Sequence, residues 1–499
     1  MKLLVRADAS AQIGTGHIMR CLALAQAWQA VGGQALFVVA GEESARAARQ
    51  AAAGFEVVSL DVSPGGPEDL SKTITRAQDR GALRVVVDGY HFDAIFQEGL
   101  KKAGLQVLFI DDVAHAGYYC SDWVLNQNIF GAPSMYPSLA PHTRLLLGPR
   151  YFLLREEFRA WASLPRETAV QAGKVLVTLG GSDPHHATLK VVSALRRLEW
   201  PGLEVIVVAG AGYSQVEELA ASLKEAPFPG RVEQNAGNMA QLMRWADVAV
   251  AAGGITCYEL AFMGVPTLMV ILADNQRLNG EFFESRGVAV NLGDFAVLDV
   301  AKTAASLTAL LQSPDKRAGM SQHGRNLVDG RGVWRVLNHL GLETVTLRTA
   351  VKDDCRMLWE WANDPGVRRN SFSSDPIPWE QHVSWFEDKL EDSGYLIFII
   401  QDRGKKPRGQ VRFALADLEA TISVDISREH RHQGYGSAGI RAGCRRLFRK
   451  FGINKVHAYV KPGNPASIRT FLQAGFQEIG ESMVKGCAAV HLVLERDDL

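Results

Sequence analysis

Long uninterrupted hydrophobic runs are missing from this sequence. The most apolar region, around 246 to 272, is interrupted by Glu259, Gly264 and Pro266. It therefore falls short of the roughly 18 consecutive apolar residues that a membrane-crossing helix requires. The chain reaches Arg6 and Asp8 too soon for a signal-peptide pattern. Cysteine is scarce: the six residues at 21, 120, 257, 355, 444 and 487 form neither a CxxC pair nor the Cys/His spacing of a zinc site. Reduced thiols and no metal are the expectation. Net charge is also absent, because Lys plus Arg and Asp plus Glu are 54 each. No global field draws the chain to nucleic acid or an anionic membrane, although Arg441 to Lys450 is locally basic. There is no short-period repeat and no low-complexity tract. A cytoplasmic protein with no nucleic-acid or membrane partner is expected.

At 499 residues the chain is too long for one core. Over 1–150, the apolar runs Leu3 to Val5, Ala35 to Val39, Val85 to Asp88 and Val107 to Asp111 alternate with helical patterns, as buried parallel strands do. A less regular stretch carries Pro133, Pro137, Pro141, Pro149 and Pro165. The alternation then restarts with Lys174 to Leu179, Leu203 to Ala209, Val248 to Ala252 and Thr267 to Leu272. Near 343 the character changes. Thr344 to Arg348 reads as a strand, a helical region rich in tryptophan follows, and Tyr395 to Gln401, Gly409 to Ala414 and Thr421 to Ile426 read as antiparallel strands. The sequence thus predicts an α/β chain of two Rossmann-like domains, 1–150 and 151–342, and an α+β domain, 343–499, with a mixed, largely antiparallel sheet.

Three turns carry the chemistry. The first strand runs through Arg6 and Asp8 to Gly14-Thr15-Gly16-His17, where a helix opens. Free N–H groups and a helix dipole favour an anion there. His17 is a side chain whose proton moves near neutral pH, and Arg20 shares its helix face. A solvated or helix-capping histidine satisfies the same spacing. In the second domain, Gly253-Gly254-Ile255-Thr256 opens a helix that carries Glu259, placed to accept from a pair of sugar hydroxyls. Asn275, after the next strand, suits a ligand hydroxyl or acetamido group, or caps the following helix.

In the third domain, Thr421 to Ile426 runs into Arg431-His432-Gln433-Gly434-Tyr435-Gly436-Ser437 and then a helix. Successive N–H groups in such a turn cradle a pyrophosphate. Lys455 to Val460 follows as a strand, then Asn464-Pro465-Ala466-Ser467, Phe471 and Gly475-Phe476. Asp425, on the polar face of its strand, is the candidate base, with a solvated strand residue as the alternative. His382 and Trp385 are weighed as sugar-site residues against ordinary packing.

Residues 1 to about 340 resemble the UDP-sugar hydrolases of pseudaminic acid biosynthesis, which release UDP from UDP-2,4-diacetamido-2,4,6-trideoxy-β-L-altropyranose and are GT-B-like in fold. The resemblance rests on RADAS with IGTGHIMRCLALA, GGSDP at 180–184, AGGITCYEL at 252–260 and ADNQ at 273–276. It implies that Gly253, Gly254, Ile255 and Thr256 hold the diphosphate, Glu259 the ribose, and His17 and Asn275 the reacting sugar. Arg6, Asp8, Gly14, Gly16 and Arg20 complete the expected substrate site.

Residues 344–496, through RxxGxG, NxxS and GF in that order, resemble the GNAT N-acetyltransferase superfamily. The segment LRTAVKDDCRMLWEWANDPGVRRNSF with HVSWF resembles the sugar-nucleotide N-acetyltransferase of the same pathway. The implied cosubstrate is acetyl-CoA, held at Arg431, Gln433, Gly434, Gly436, Ser437, Asn464 and Ser467. Phe471 stands where many members carry a tyrosine that acts as general acid, so either another group such as Tyr459 or water protonates the thiolate or the thiolate leaves unaided. The expected function is a bifunctional enzyme that N-acetylates a UDP-4-amino-4,6-dideoxy sugar and then hydrolyses UDP from the product. A GT-B glycosyltransferase and a UDP-sugar-binding protein with a degenerate acetyltransferase are the alternatives.

Overall fold

A computed structural model describes residues 1–9, 16–30, 32–159, 161, 166–181, 183, 185–210, 212–340, 345–402, 404–431 and 433–496. Ser10, Gly14, Thr15, Ser182, Pro184, Thr344 and His432, which belong to elements expected from the sequence, lie outside the described residues. The chain divides into two compact units, Met1–Leu340 and Gly341–Leu499.

The first unit contains two parallel sheets. One is built from β1 (Lys2–Ala7), β2 (Gln34–Ala40), β3 (Glu56–Leu60), β4 (Arg84–Asp88), β5 (Gln106–Ile110), β6 (Trp123–Asn126) and β7 (Arg144–Leu147), in the order β3-β2-β1-β4-β5-β6-β7. The other contains β8 (Lys174–Thr178), β9 (Glu204–Ala209), β10 (Gly230–Gln234), β11 (Val248–Ala252), β12 (Thr267–Ile271) and β13 (Ala289–Asp294), in the order β10-β9-β8-β11-β12-β13. The central strands are apolar because helices cover both faces; Val248 to Ala252 is buried throughout. Strand order reverses between β1 and β4 in one sheet and between β8 and β11 in the other. Such switch points open a crevice at the carboxyl ends of the strands, where Gly16 follows β1, Gly180 and Gly181 follow β8, and Gly253 and Gly254 follow β11. The closing helix, Gly332–His339, packs on Gly16–Ala30, and Arg84 Nε donates to Leu340 O at 2.7 Å.

The second unit holds one mixed sheet: β14 (Thr346–Thr349), β15 (Tyr395–Gln401), β16 (Pro407–Ala416), β17 (Glu419–Ile426), β18 (Lys455–Val460), β19 (Gln477–Val484) and β20 (Cys487–Glu495), in the order β14-β15-β16-β17-β18-β20-β19. Its one parallel pair, β17 with β18, is short. Partners run from Glu419 with Lys455 to Thr421 with His457, after which the pairing stops. Val456, Ala458 and Val460 join the core beneath the helix Tyr435–Lys450, while Ile397 and Ile399 of β15 pack with Leu358 and Phe386 on the other face.

The strands expected from apolar runs are present. The sequence reading passed over β3, β6, β7, β10, β13 and the β19–β20 hairpin. β7 lies inside the stretch read as irregular; at four residues it is too short to show a periodicity.

Candidate functional site

His17 occupies the first turn of the helix Gly16–Ala30, and its Nδ1 lies 2.6 Å from Asp88 Oδ1 at the end of β4. The helix after β1 and the tip of β4 meet because those strands are neighbours, so the pair sits at the switch point of the first sheet. An Nδ1–H donated to a carboxylate leaves the lone pair on Nε2. His17 is 7% exposed, and among the described residues its Nε2 has no hydrogen-bond partner.

Arg20 locks the pair in place. It donates from Nε to Asp88 Oδ2 at 2.6 Å, from Nη2 to Asp88 Oδ1 at 2.6 Å and from Nη1 to both Asp112 oxygens at 2.8 and 2.7 Å. Burial alone would raise the Asp88 carboxyl, but Arg20 and His17 more than offset it and hold the group well below the usual carboxylate range. Asp88 is an ionised anchor that holds the imidazole ring of His17 by its Nδ1. Arg20, expected to touch substrate, has its guanidinium taken up by the two aspartates.

Arg6 is a clearer correction. Its side chain is 0% exposed, and Nε and Nη2 donate to Asp69 at 2.8 and 2.7 Å while Nη1 donates to Asp8 Oδ1 at 2.7 Å. A guanidinium sealed in this way has no face for a ligand. Asp8 is likewise engaged, by Arg6, by Ala40 N at 2.6 Å and by His91 Nε2 at 3.0 Å. Burial opposes its ionisation, yet His91 and Arg6 draw its pKa down to about 2. Arg6 and Asp8 are thus joined to each other and to Asp69, Ala40 and His91.

Gly16 stands at the joint with the second sheet: a Cβ built there would lie 3.5 Å from Ile255 Cδ1. The helices Gly16–Ala30 and Ile255–Met263 therefore point their N-terminal ends at the same place. Gly253 is closely wrapped, with Gln276 Cβ 3.1 Å and Met269 Sδ 3.2 Å from any added Cβ. Gly254, Ile255 and Thr256 then open the helix. Glu259 is 2% exposed and accepts from Arg155 Nε at 2.8 Å through Oε1, so it is a paired carboxylate. In GGSDP, Asp183 caps the helix Ala187–Leu195, accepting from Thr188 N at 2.8 Å.

Asn275 reaches the first sheet domain. Its Nδ2 donates to Tyr90 Oη at 3.3 Å, and the Tyr90 ring meets His17 edge to face at 5.2 Å. His17 and Asn275, far apart in sequence, are thus brought together through Tyr90. Burial, with Asp112 nearby, pushes the Tyr90 phenol up to about 12, so it stays protonated and able to donate. Sequence reasoning missed Asp88, Tyr90 and Asp112. The available signal was position, since Asp88 and Tyr90 flank the end of β4 and Asp112 follows β5.

In the second unit, Gly434 has a φ of 83° and caps the helix Tyr435–Lys450. A side chain is strained in that left-handed conformation, which is why glycine serves there. Gly436 lies close to Thr470, whose Cγ2 would be 3.1 Å from a Cβ. The remaining side chains of the motif make structural bonds. Arg431 Nη2 donates to Asp364 Oδ1 at 2.6 Å, Gln433 Nε2 to Glu429 O at 3.0 Å and Ser437 Oγ to Gly434 O at 3.3 Å. Asn464 Oδ1 accepts from Ser467 N at 3.2 Å, capping the helix Pro465–Ala474.

Asp425 accepts from Gln410 Nε2 at 2.9 Å and Arg412 Nη2 at 3.2 Å, both through Oδ2. His382 is 3% exposed among Trp379, Trp385 and Phe386, with its pKa lowered by burial. Phe471 packs on Phe476 in the core, whereas Tyr459 projects to the opposite face of the sheet and stacks on His491 at 4.5 Å. Tyr459 thus occupies a different side of the sheet from Phe471. Among the described residues no group of three or more His, Cys, Asp or Glu is placed to hold a metal ion, and no helix is long and apolar enough to cross a membrane.

The folds define two classes: a GT-B-like pair of Rossmann domains and a GNAT domain. Residues 175–328 match the glycosyltransferase family 28 C-terminal domain, and residues 344–477 match the acetyltransferase (GNAT) domain. An uncharacterized protein of Methanocaldococcus jannaschii is 22% identical over 500 residues, covering 96% of this chain and 97% of that one. The spore coat polysaccharide biosynthesis protein SpsG of Bacillus subtilis is 30% identical over 217 residues, 43% of this chain and 63% of that one. The UDP-2,4-diacetamido-2,4,6-trideoxy-β-L-altropyranose hydrolase of Campylobacter jejuni is 27% identical over 211 residues, 42% of this chain and 69% of that one. Among solved structures, MurG of Acinetobacter baumannii superposes with a TM-score of 0.51 at 18% identity, covering 68% of this chain and 98% of that one. The chain therefore joins a GT-B-like unit, homologous to that hydrolase and to SpsG, with a GNAT acetyltransferase domain.

Proposed function

We propose that the chain is a bifunctional nucleotide-sugar enzyme in which the GNAT domain acetylates the 4-amino group of a UDP-4-amino-4,6-dideoxy sugar that already carries a 2-acetamido group, and the GT-B-like unit hydrolyses the product to UDP and a free 2,4-diacetamido-2,4,6-trideoxy sugar. The observation that carries the hydrolytic half is the His17–Asp88 pair, set beside Tyr90 and Asn275 at the joint of the two sheets. It supplies a base next to two helix N-termini suited to a diphosphate. Water gives a proton to His17 Nε2 as its oxygen attacks the anomeric carbon, the bond from that carbon to the β-phosphate oxygen breaks, and UDP leaves as the anion. Attack opposite the leaving group inverts the anomeric centre. The turn 253–256 holds the diphosphate, Glu259, oriented by Arg155, binds the ribose, and Asn275 with Tyr90 positions the sugar.

In the GNAT domain the turn 431–436 cradles the pyrophosphate of acetyl-CoA through backbone N–H groups. The substrate nitrogen attacks the thioester carbonyl, the C–S bond breaks, and CoA thiolate departs. Asp425 Oδ1, the oxygen left over by Gln410 and Arg412, takes the proton that the nitrogen loses as the C–N bond forms. A coherent route runs from amine to acetamide to free sugar, in the cytoplasm and in the pseudaminic acid pathway.

A glycosyltransferase reading draws support from the family 28 match. Product analysis separates the two: UDP and free sugar formed without any acceptor support hydrolysis, and turnover only with an acceptor supports transfer.

A further inference from the structure

A continuous line of buried polar contacts runs from His17 to the turn of the second sheet. His17 is tied to Asp88, Asp88 to Arg20, and Arg20 to Asp112. Asp112 Oδ1 accepts from Asn128 Nδ2 at 2.8 Å, and Asn128 Oδ1 faces Asn279 Nδ2 at 3.5 Å. Asn279 Nδ2 also donates to Gly253 O at 2.9 Å, and its Oδ1 accepts from Tyr258 Oη at 2.7 Å. Tyr258 Oη in turn accepts from Ile129 N at 2.8 Å, next to Asn128. Tyr258 belongs to the helix that the Gly253-Gly254 turn opens, and Asn279 to the helix Arg277–Ser285. Asn128 and Ile129 follow β6 of the first sheet.

The side chains that make these contacts are at most 9% exposed except that of Asp112, at 14%, and Ile129, which contributes its backbone N–H, is half-buried. Burying so many polar groups is costly unless each is satisfied. Here the amides are spent on each other, across the joint between two sheets. Two contacts cross it, Ile129 N to Tyr258 Oη at 2.8 Å and the longer Asn279 Nδ2 to Asn128 Oδ1, and a bond near 3.5 Å gains strongly from a small shift of either side.

Resting on the functional reading above, we propose that Asn128, Asn279 and Tyr258 are positioning residues that couple His17 to the turn 253–256. A diphosphate seated on the turn draws Gly253 and Asn279 toward it. The displacement passes through Asn128 to Asp112 and Arg20, and so to the Asp88 carboxylate that orients the imidazole. The base is thereby aligned when a nucleotide is in place. None of the three touches the reacting atoms.

The test uses the full chain with UDP as the probe. ¹⁵N signals of the His17 ring are assigned by their loss in His17→Asn and followed with and without saturating UDP, while calorimetry gives the UDP affinity. In the wild type, UDP moves the His17 signals. In Asn128→Ala, UDP still binds, about fivefold or more weakly as expected for a typical coupling between sites, and the signals no longer move. Asn128→Asp is the second variant: it keeps the size and the acceptor for Asn279 but sets a carboxylate against Asp112, and it is expected to uncouple in the same way. A UDP-induced change of equal size in wild type and both variants would overturn the coupling, because UDP would then be acting on His17 directly. UDP binding with no change at His17 in the wild type would also overturn it, leaving the functional reading intact. No UDP binding to the wild type would overturn both.

Discussion

The Nδ1 atom of His17 and the Oδ1 atom of Asp88 are 2.6 Å apart, although 71 residues separate them in the chain. The contact joins the helix after β1 to the tip of β4 and ties down one ring nitrogen of His17. Asp88 is fully buried and kept ionised by Arg20.

General acid–base catalysis contributes roughly 10² to 10⁴ in rate. His17→Asn is therefore expected to slow UDP release by about that factor, with UDP affinity held within roughly threefold. Asp88→Asn removes the charge that orients the ring, and it is expected to reduce kcat while leaving KM little changed. Steady-state kinetics and calorimetry on the same preparations check both.

Tyr90→Phe keeps the ring against His17 but deletes the hydroxyl that accepts from Asn275. A single hydrogen bond is worth about 0.5–1.5 kcal/mol. A loss of roughly two- to tenfold in kcat/KM is expected for Tyr90→Phe. Asn275→Ala removes both that bond and the proposed sugar contact, so its loss should be larger. Equal, small losses would separate Asn275 from the substrate.

Arg6→Ala leaves Asp69 and Asp8 buried without their cation, a change that costs about 3–5 kcal/mol when a buried pair is broken. Urea unfolding should report destabilisation of that order. The pH dependence follows from Asp8, whose folded pKa is lowered to about 2. A depressed carboxylate stabilises the fold above its unfolded value of about 4 and loses that contribution as pH falls through its folded value. The stability gap between wild type and Asp8→Asn should be full at pH 6 and narrow progressively below about pH 4.

Gly434→Ala forces a side chain into φ of 83°, at a cost of roughly 1–2 kcal/mol. Acetyl-CoA affinity by calorimetry is expected to fall about 5- to 30-fold, while UDP release from an already acetylated substrate is unchanged. Loss of both reactions would contradict the assignment of each to its own unit.

Much of this was legible in the sequence, for physical reasons. β1, β4, β8 and β11 are short apolar runs that end at glycine or acid, so both the parallel sheets and the turns at their carboxyl edges show. β6 and β7 have four residues each and carry no period. His17 stands out because a glycine turn precedes it, but Asp88 looks like the end of any buried strand until β4 is placed beside β1. Arg6 misled for the opposite reason. Its charge suggested a ligand, whereas it pairs with Asp8 and with the buried Asp69, 63 positions away. Asn464 and Ser467 form a helix cap, a local bond that their spacing of three residues also allows.

The most direct measurement is timed mass spectrometry of the full chain with a UDP-4-amino-4,6-dideoxy sugar, with and without acetyl-CoA, for wild type and His17→Asn. With acetyl-CoA the wild type should form the acetylated UDP-sugar first and then UDP with free diacetamido sugar, with no acceptor added, and His17→Asn should stop at the acetylated intermediate. Release of UDP at the wild-type rate by His17→Asn, or persistence of the acetylated UDP-sugar in the wild type until an acceptor is supplied, would contradict hydrolysis by the His17–Asp88 pair.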